Sequence, residues 1–178
     1  MTLVTMLCLK AILFLVITAS LTCGLNFDCN NITLVRREEW GSTAGVKQHN
    51  MPEKPGRIFV HHTNTEECKT TTDCIKLVRG EEKFHKELLG QGDIDVQFLI
   101  GGDGKVYEGR GWDATGPHTL GYPNDFGVAF IGTFNKNFAS VKMMNAFREL
   151  IICGIQHGAI KKDHSIYGHR DARMWGQD

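Results

Sequence analysis

The apolar run Ile58-Phe59-Val60 ends abruptly in His61, His62 and Thr63. A short β-branched and aromatic run after Pro55-Gly56 predicts a buried strand over residues 58–62. Alternation along that strand puts His61 on one face and His62 on the other. Before it, residues 25–57 read as a mostly extended lead-in in which Ile32, Leu34 and Val35 alternate loosely. From Asp73 to Leu89 the apolar positions Ile75, Leu77, Val78, Phe84, Leu88 and Leu89 predict an amphipathic helix interrupted by Gly80. Asp95 to Ile100 and Lys105 to Gly109 predict a hairpin around Gly101-Gly102-Asp103-Gly104, a turn that needs positive φ. No helical pattern follows this turn, which excludes a phosphate-binding loop. Residues 110–126 then form a long loop rich in Gly, His, Trp and Tyr, and loops of that length are commonly functional. A strand over Gly127 to Ile131, a helix over Val141 to His157 and a last strand over Ile166 to His169 complete the pattern, with no internal repeat.

The first 24 residues stand apart. Lys10 precedes the apolar run from Ala11 to Ile17, and small or weakly polar residues follow from Thr18 to Gly24. This is the layout of a secretory signal peptide, and the run is short for an uncleaved membrane anchor. The expected division is a signal peptide over 1–24 and one domain over 25–178. With 178 residues, 42% hydrophobic and 22% charged, the chain has the length and composition of a single globular domain. Removing Lys10 leaves 19 basic against 20 acidic residues, which gives no reason to expect nucleic acid or a membrane surface as partner.

Secretion changes the meaning of the cysteines. Cys8 and Cys23 fall in the leader, and Cys29, Cys68, Cys74 and Cys153 remain. An even number in an oxidising compartment points to two disulfides, with three pairings open, and Cys29 and Cys153 could instead be free thiols. Asn31-Ile32-Thr33 is a glycosylation acceptor in an exposed, secreted context. Two imidazoles and a hydroxyl at the mouth of a buried strand need hydrogen-bond partners. They suit either a ligand or metal site or a pair of satisfied structural histidines.

Several segments, in order, resemble one family: Arg36-x-x-x-Trp40-Gly41, Val60-His61-His62-Thr63, Cys68-x5-Cys74, the run from Phe98 to Trp112, and Gly168-His169-Arg170-Asp171. Over residues 29–172 the chain resembles the peptidoglycan recognition proteins. The resemblance implies an α/β fold, a mixed central β-sheet flanked by helices with a groove for a muramyl peptide. It also implies the pairings Cys68 with Cys74 and Cys29 with Cys153. Past Gly-His-Arg-Asp the tail is unlike the family's terminal helix. The expected domain is therefore truncated at its C-terminal end and lacks the helix that covers one face of the sheet, leaving apolar surface exposed.

Amidase members of this family hold Zn²⁺ with two histidines and a cysteine, leave a fourth position for water, and place a tyrosine near the reacting group. The histidines correspond to His61 and His169. The cysteine position is Gln177, and the tyrosine of an Asp-Ile-Gly-Tyr segment is Val96 within Asp93-Ile94-Asp95-Val96. A neutral amide does not replace a thiolate. His61 and His169 thus read as a vestigial metal pair, able at most to hold zinc weakly, with no cofactor expected.

The groove residues carried over by the resemblance are His62, Thr63, His85, Gly90, Arg110, His118 and Tyr122. Hydroxyl and imidazole groups suit peptide and sugar partners, and Arg110 offers a guanidinium to a diaminopimelate carboxylate. Against this, Arg110 could merely stabilise the hairpin mouth, His85 and His118 could be solvated, and Trp112 reads as a core anchor. Gln91 stands where diaminopimelate binders have tryptophan, and Pro123 where the family has asparagine. The expected function is a secreted innate-immune protein that binds peptidoglycan without hydrolysing it and signals through a protein partner. The alternatives are a zinc N-acetylmuramoyl-L-alanine amidase and a non-binding decoy that regulates sibling receptors.

Overall fold

The computed structural model describes residues 29–43, 45 and 49–174; the leader over 1–24 and Gln177 lie outside them. Six strands form one sheet: β1 (Leu34–Val35), β2 (Arg57–His62), β3 (Phe98–Ile100), β4 (Val106–Glu108), β5 (Phe126–Phe130) and β6 (Ser165–Gly168). Their order across the sheet is β1-β4-β3-β5-β2-β6. Only the β3–β4 hairpin is antiparallel; all other neighbours run parallel. Parallel strands need cover on both faces, and β3 and β5 are buried throughout.

That cover comes from two helices. The four-residue α1 (Arg37–Trp40) buries only Trp40. α2 (Thr71–Lys83) sets Cys74 and Val78 against Leu99, Tyr107 and Ala129 on one face. Thr70 caps it by accepting from the Asp73 backbone N–H. α3 (Val141–Gln156), capped by Ser140, sets Met143, Phe147, Leu150 and Ile151 against Ile58, Phe98, Ile100 and Val128 on the other. Trp112 stacks on Phe126 at 5.5 Å and joins this second core, the anchor role expected of it. Disulfides Cys29–Cys153 and Cys68–Cys74 are formed, the first fastening the lead-in to α3.

Most boundaries shift by a residue or two from the sequence pattern, and three differences bear on the site. Gly80 does not interrupt α2, because it lies on the exposed side with nothing within 4 Å of a Cβ there. The helix instead changes gauge at a π-helical turn over Phe84–Leu88. β3 starts at Phe98 and not Asp95, because the Asp95 N–H donates to His85 Nδ1 and not to a neighbouring strand. β6 ends at Gly168, and His169 opens a 3-10 turn over His169–Met174.

Candidate functional site

Strand alternation turns Phe59 and His61 toward the α2 face of the sheet. Gly127 pairs with Phe59 on β5, and a Cβ there would run into the His118 ring. That glycine is what lets the 110–126 loop lay His118 flat on the sheet. The His118 ring lies 5.3 Å from that of His61, and the His169 ring 4.6 Å from His61 on its other side. Tyr122 packs between Phe59, at 5.0 Å, and the Arg57 guanidinium, at 4.9 Å. Arg57 also pairs with Asp125 at 2.9 Å, fixing the end of the loop to β2.

A directed chain of hydrogen bonds runs through these groups. His118 Nε2 lies 3.0 Å from the Asp125 carbonyl, which can only accept, so Nε2 carries the proton. Neutral His118 then accepts at Nδ1 from the Thr119 hydroxyl, 2.8 Å away. Thr119 Oγ1 in turn accepts from His61 Nε2 at 3.2 Å. His61 is left with a lone pair on Nδ1, and His169 Nδ1 donates to it at 2.8 Å. One carbonyl thus sets the tautomer of His118, His61 and His169 in succession. Burial pushes His61 down to about 2, reinforced by His118 and His169, and burial lowers His118 as well. Both rings are neutral at physiological pH.

A second cluster forms at the π-helical turn. The change of gauge there turns His85 inward until only 7% of it is exposed. Its Nδ1 accepts from the Asp95 N–H, so Nε2 carries the proton and faces Asp95 Oδ2 at 3.3 Å and Glu81 Oε2 at 3.9 Å. Burial lowers the His85 pKa against the opposing pull of Asp95. Burial and the Asp95 charge raise Glu81 to about 7. Arg110 borders the cluster, donating from Nε to the Ile94 carbonyl at 2.5 Å, from Nη1 to Thr115 at 3.1 Å and from Nη2 to Gln91 at 3.4 Å. Gly90, at φ +65°, makes the exposed turn between His85 and this wall.

Of the residues singled out in the sequence, the fold gathers His61, His118, His169 and Tyr122 in one cluster and His85, Gly90 and Arg110 near another. His62 lies on the opposite face, where its Nδ1 accepts from the Phe134 N–H. Thr63 bonds Thr65 and accepts from the Gly132 N–H, bracing the strand ends. Asn31 is exposed and donates to Glu149. Thr119, Glu81 and Asp95 were not anticipated. Asp95 was visible only as an aspartate where the amidase segment has glycine, and Thr119 only as the neighbour of His118. A cleft of about 840 Å³ opens between β6 and the start of α3, lined in part by Val60, His62, Phe134, Met144 and Ile166 and reaching His61 and His169.

Among the described residues no third ligand stands beside the His61 and His169 pair. Cys29, Cys68, Cys74 and Cys153 are all bound in disulfides, so none supplies a thiolate. Val96 is buried within the α2-side core and presents nothing to the groove. The group of Cys29, Cys153 and His157, with ligand atoms within 4.8 Å, contains the two sulfurs of one disulfide. These residues do not fit a three-ligand zinc centre.

Residues 51–178 match the N-acetylmuramoyl-L-alanine amidase family model. The chain is 37% identical over 162 residues to the peptidoglycan recognition protein of Bombyx mori, spanning 90% of this chain and 81% of that one. The structure of bumblebee peptidoglycan recognition protein SA superposes with a TM-score of 0.76 at 38% identity, covering 78% of this chain and 84% of the other. A chain from the complex of the receptor ectodomains LCa and LCx with tracheal cytotoxin superposes with a TM-score of 0.78 at 32% identity, covering 79% and 86%.

Proposed function

The chain belongs to the peptidoglycan recognition proteins, built on the N-acetylmuramoyl-L-alanine amidase fold, and from that premise we propose that it is a secreted receptor that binds peptidoglycan without cleaving it. The observation that carries this reading is the pairing of a built groove face with an incomplete metal set. His118, Thr119 and Tyr122 stand on the α2 face beside His61, while every described cysteine is oxidised. Gln177 and Val96 occupy the thiolate and tyrosine positions of the amidases. Among the described residues no third ligand joins His61 and His169 to hold and polarise a water for attack on the lactyl amide. Zinc, if bound, is held weakly by His61 and His169.

Secretion is supported by the leader-like segment, the two disulfides and the exposed Asn31 acceptor. Among the described residues no helix is long and apolar enough to cross a membrane. The bound fragment is read out by an immune signalling protein.

The test is co-sedimentation of the purified chain with insoluble peptidoglycan, with and without added Zn²⁺. Sedimentation with no released stem peptide is the expected result. Zinc-dependent release that His61→Ala abolishes would restore the amidase reading. A chain that stays in the supernatant would be the decoy, a reading that the departures at Gln91, Val96 and Pro123 favour over the amidase one.

A further inference from the structure

The α3 side of the sheet is covered over only part of its width. α3 packs on β3 and β4, and among the described residues no α-helix packs as closely on β2 or β6. Those two strands form the end of the sheet beyond β5. Ile58 pairs with Ile166 and Val60 with Gly168, so Ile58, Val60 and Ile166 share one face. Ile58 is sealed in the α3-side core. Val60 and Ile166 instead line the cleft, with Met144 of α3 and with Phe134 and Phe138 from the segment that leads into it. Ile166 is 50% exposed, Met144 48% and Phe138 99%. Parallel strands need cover on both faces, and a contiguous apolar surface of this kind marks an interaction site.

The edge of the sheet limits what can enter as a strand. The Ser165 N–H donates to the Gly56 carbonyl on the β2 side, so alternation turns the Ile166 and Gly168 N–H groups outward. The Gly168 N–H is already taken by the Asp171 carboxylate at 2.7 Å, and the chain leaves the sheet at the turn His169–Met174. Strand addition draws its affinity from main-chain hydrogen bonds, and β6 has too few outward donors left for it. A helix satisfies its own backbone, and the cleft lies beside α3 in the layer that α3 occupies.

Charge limits the occupant further. The cleft is lined by Arg170 and by three imidazoles, and by no carboxylate. Lys136 stands between the lining residues Asn135 and Asn137. Arg170 and Lys136 are exposed, and among the described residues neither forms an ion pair. In a chain with 20 basic and 20 acidic residues this rim is locally basic. A symmetric second copy would set one basic rim against another, whereas an acidic partner complements it.

We propose that this cleft docks an amphipathic helix of a protein partner, its apolar stripe on Val60, Met144 and Ile166 and its acidic flank toward Arg170 and Lys136. The proposal goes beyond peptidoglycan binding and uses none of His85, Arg110, His118 or Tyr122.

The experiment is fluorescence anisotropy of the purified full chain with three labelled synthetic peptides. One is a helix with a leucine stripe flanked by glutamates, the second carries lysines in place of the glutamates, and the third is the glutamate form with a central proline. The glutamate helix should bind about fivefold more tightly than the lysine helix, the size of one or two rim ion pairs. The proline form should bind about a hundredfold more weakly. Met144→Gln should weaken the glutamate helix about tenfold and leave co-sedimentation with peptidoglycan unchanged. Arg170→Glu should reverse the preference between flanks; Lys136→Glu should narrow it, and serves if Arg170→Glu does not fold. Binding of neither helix, equal binding of the two flanks or undiminished binding of the proline form overturns the proposal. So does a wild-type dimer in sedimentation velocity that Met144→Gln dissociates, which assigns the cleft to a second copy. Binding gained only on deletion of residues 175–178 overturns it as well, in favour of that segment.

Discussion

His61 Nδ1 and His169 Nδ1 face each other at 2.8 Å, with 108 positions of sequence between them. The contact ties the end of β2 to the turn that follows β6, and through Thr119 and His118 it reaches the loop that walls the groove. Each of these two nitrogens is the other's hydrogen-bond partner. The groove face is consequently held by neutral hydrogen bonds, whose direction is set at the Asp125 carbonyl.

Thr119 is the hinge of that chain, because its hydroxyl accepts from one imidazole and donates to the next. Thr119→Val keeps the shape and leaves a donor on His61 and an acceptor on His118 unpaired in a buried setting. The expected loss is about 1–3 kcal/mol, read by urea denaturation, and Thr119→Ser should recover most of it. A valine variant as stable as wild type would show that the hydrogen-bond chain carries no stability.

Glu81 gives the protein a pH dependence of definite sign. Its folded pKa is raised from 4.5 to about 7, so the folded state holds a proton that the unfolded state has released between those values. Its contribution is fully present below pH 4.5 and is lost as pH rises through 7. Glu81→Gln should therefore stabilise the protein at pH 8, by about 1–3 kcal/mol, and change little at pH 4. Thermal unfolding of both proteins across this range checks it. A gain at pH 4 equal to that at pH 8 would remove Glu81 from the account.

The disulfides differ in the chain they constrain. Cys29–Cys153 spans 124 positions and Cys68–Cys74 spans 6. In the chain-entropy picture the first contributes about 5 kcal/mol and the second about 2.4 kcal/mol. Paired alanine substitutions should rank in that order by denaturant midpoint. Mass mapping of the non-reduced protein should recover both links, and a free thiol at Cys153 would defeat the long-range pairing.

Much of this architecture is legible in the sequence, for identifiable reasons. Strands β2, β3 and β5 are short apolar runs because both faces are covered, and alternation alone separates His61 from His62. Both helices show their apolar faces at helical spacing. The details that shape the groove are not local in this sense. The π-helical turn that buries His85 passes through residues whose pattern reads as continuous helix. The roles of Arg110 and Asp95 depend on carbonyls and side chains 10 to 19 positions away. Arg37, in the lead-in, reaches Asp93 at 2.9 Å and Glu82 at 3.4 Å through contacts that only the fold creates. Sequence resemblance names positions; it does not say that each nitrogen of the Arg110 guanidinium already donates to a backbone carbonyl.

Gln97 shows how the loop depends on such a contact. It is completely buried at the start of β3 and has no charge or motif to mark it. Its Nε2 donates to the Ala114 carbonyl at 2.8 Å, and its Oε1 accepts from the Gly127 N–H at 2.6 Å. One side chain thus pins the long loop to β5 at the glycine over which His118 lies. Gln97→Leu fills similar space and strands a buried N–H and a buried carbonyl, each carrying a penalty of about 1–3 kcal/mol. The variant should be less stable than wild type. Its loop amides from Ala114 to Tyr122 should exchange with solvent faster than those of β5, which the remaining ladder still protects. Peptidoglycan co-sedimentation should weaken in step, because His118 and Tyr122 are carried on that loop. Uniform acceleration of exchange across loop and strand, with binding unchanged, would mean that Gln97 serves only general stability and does not position the groove wall.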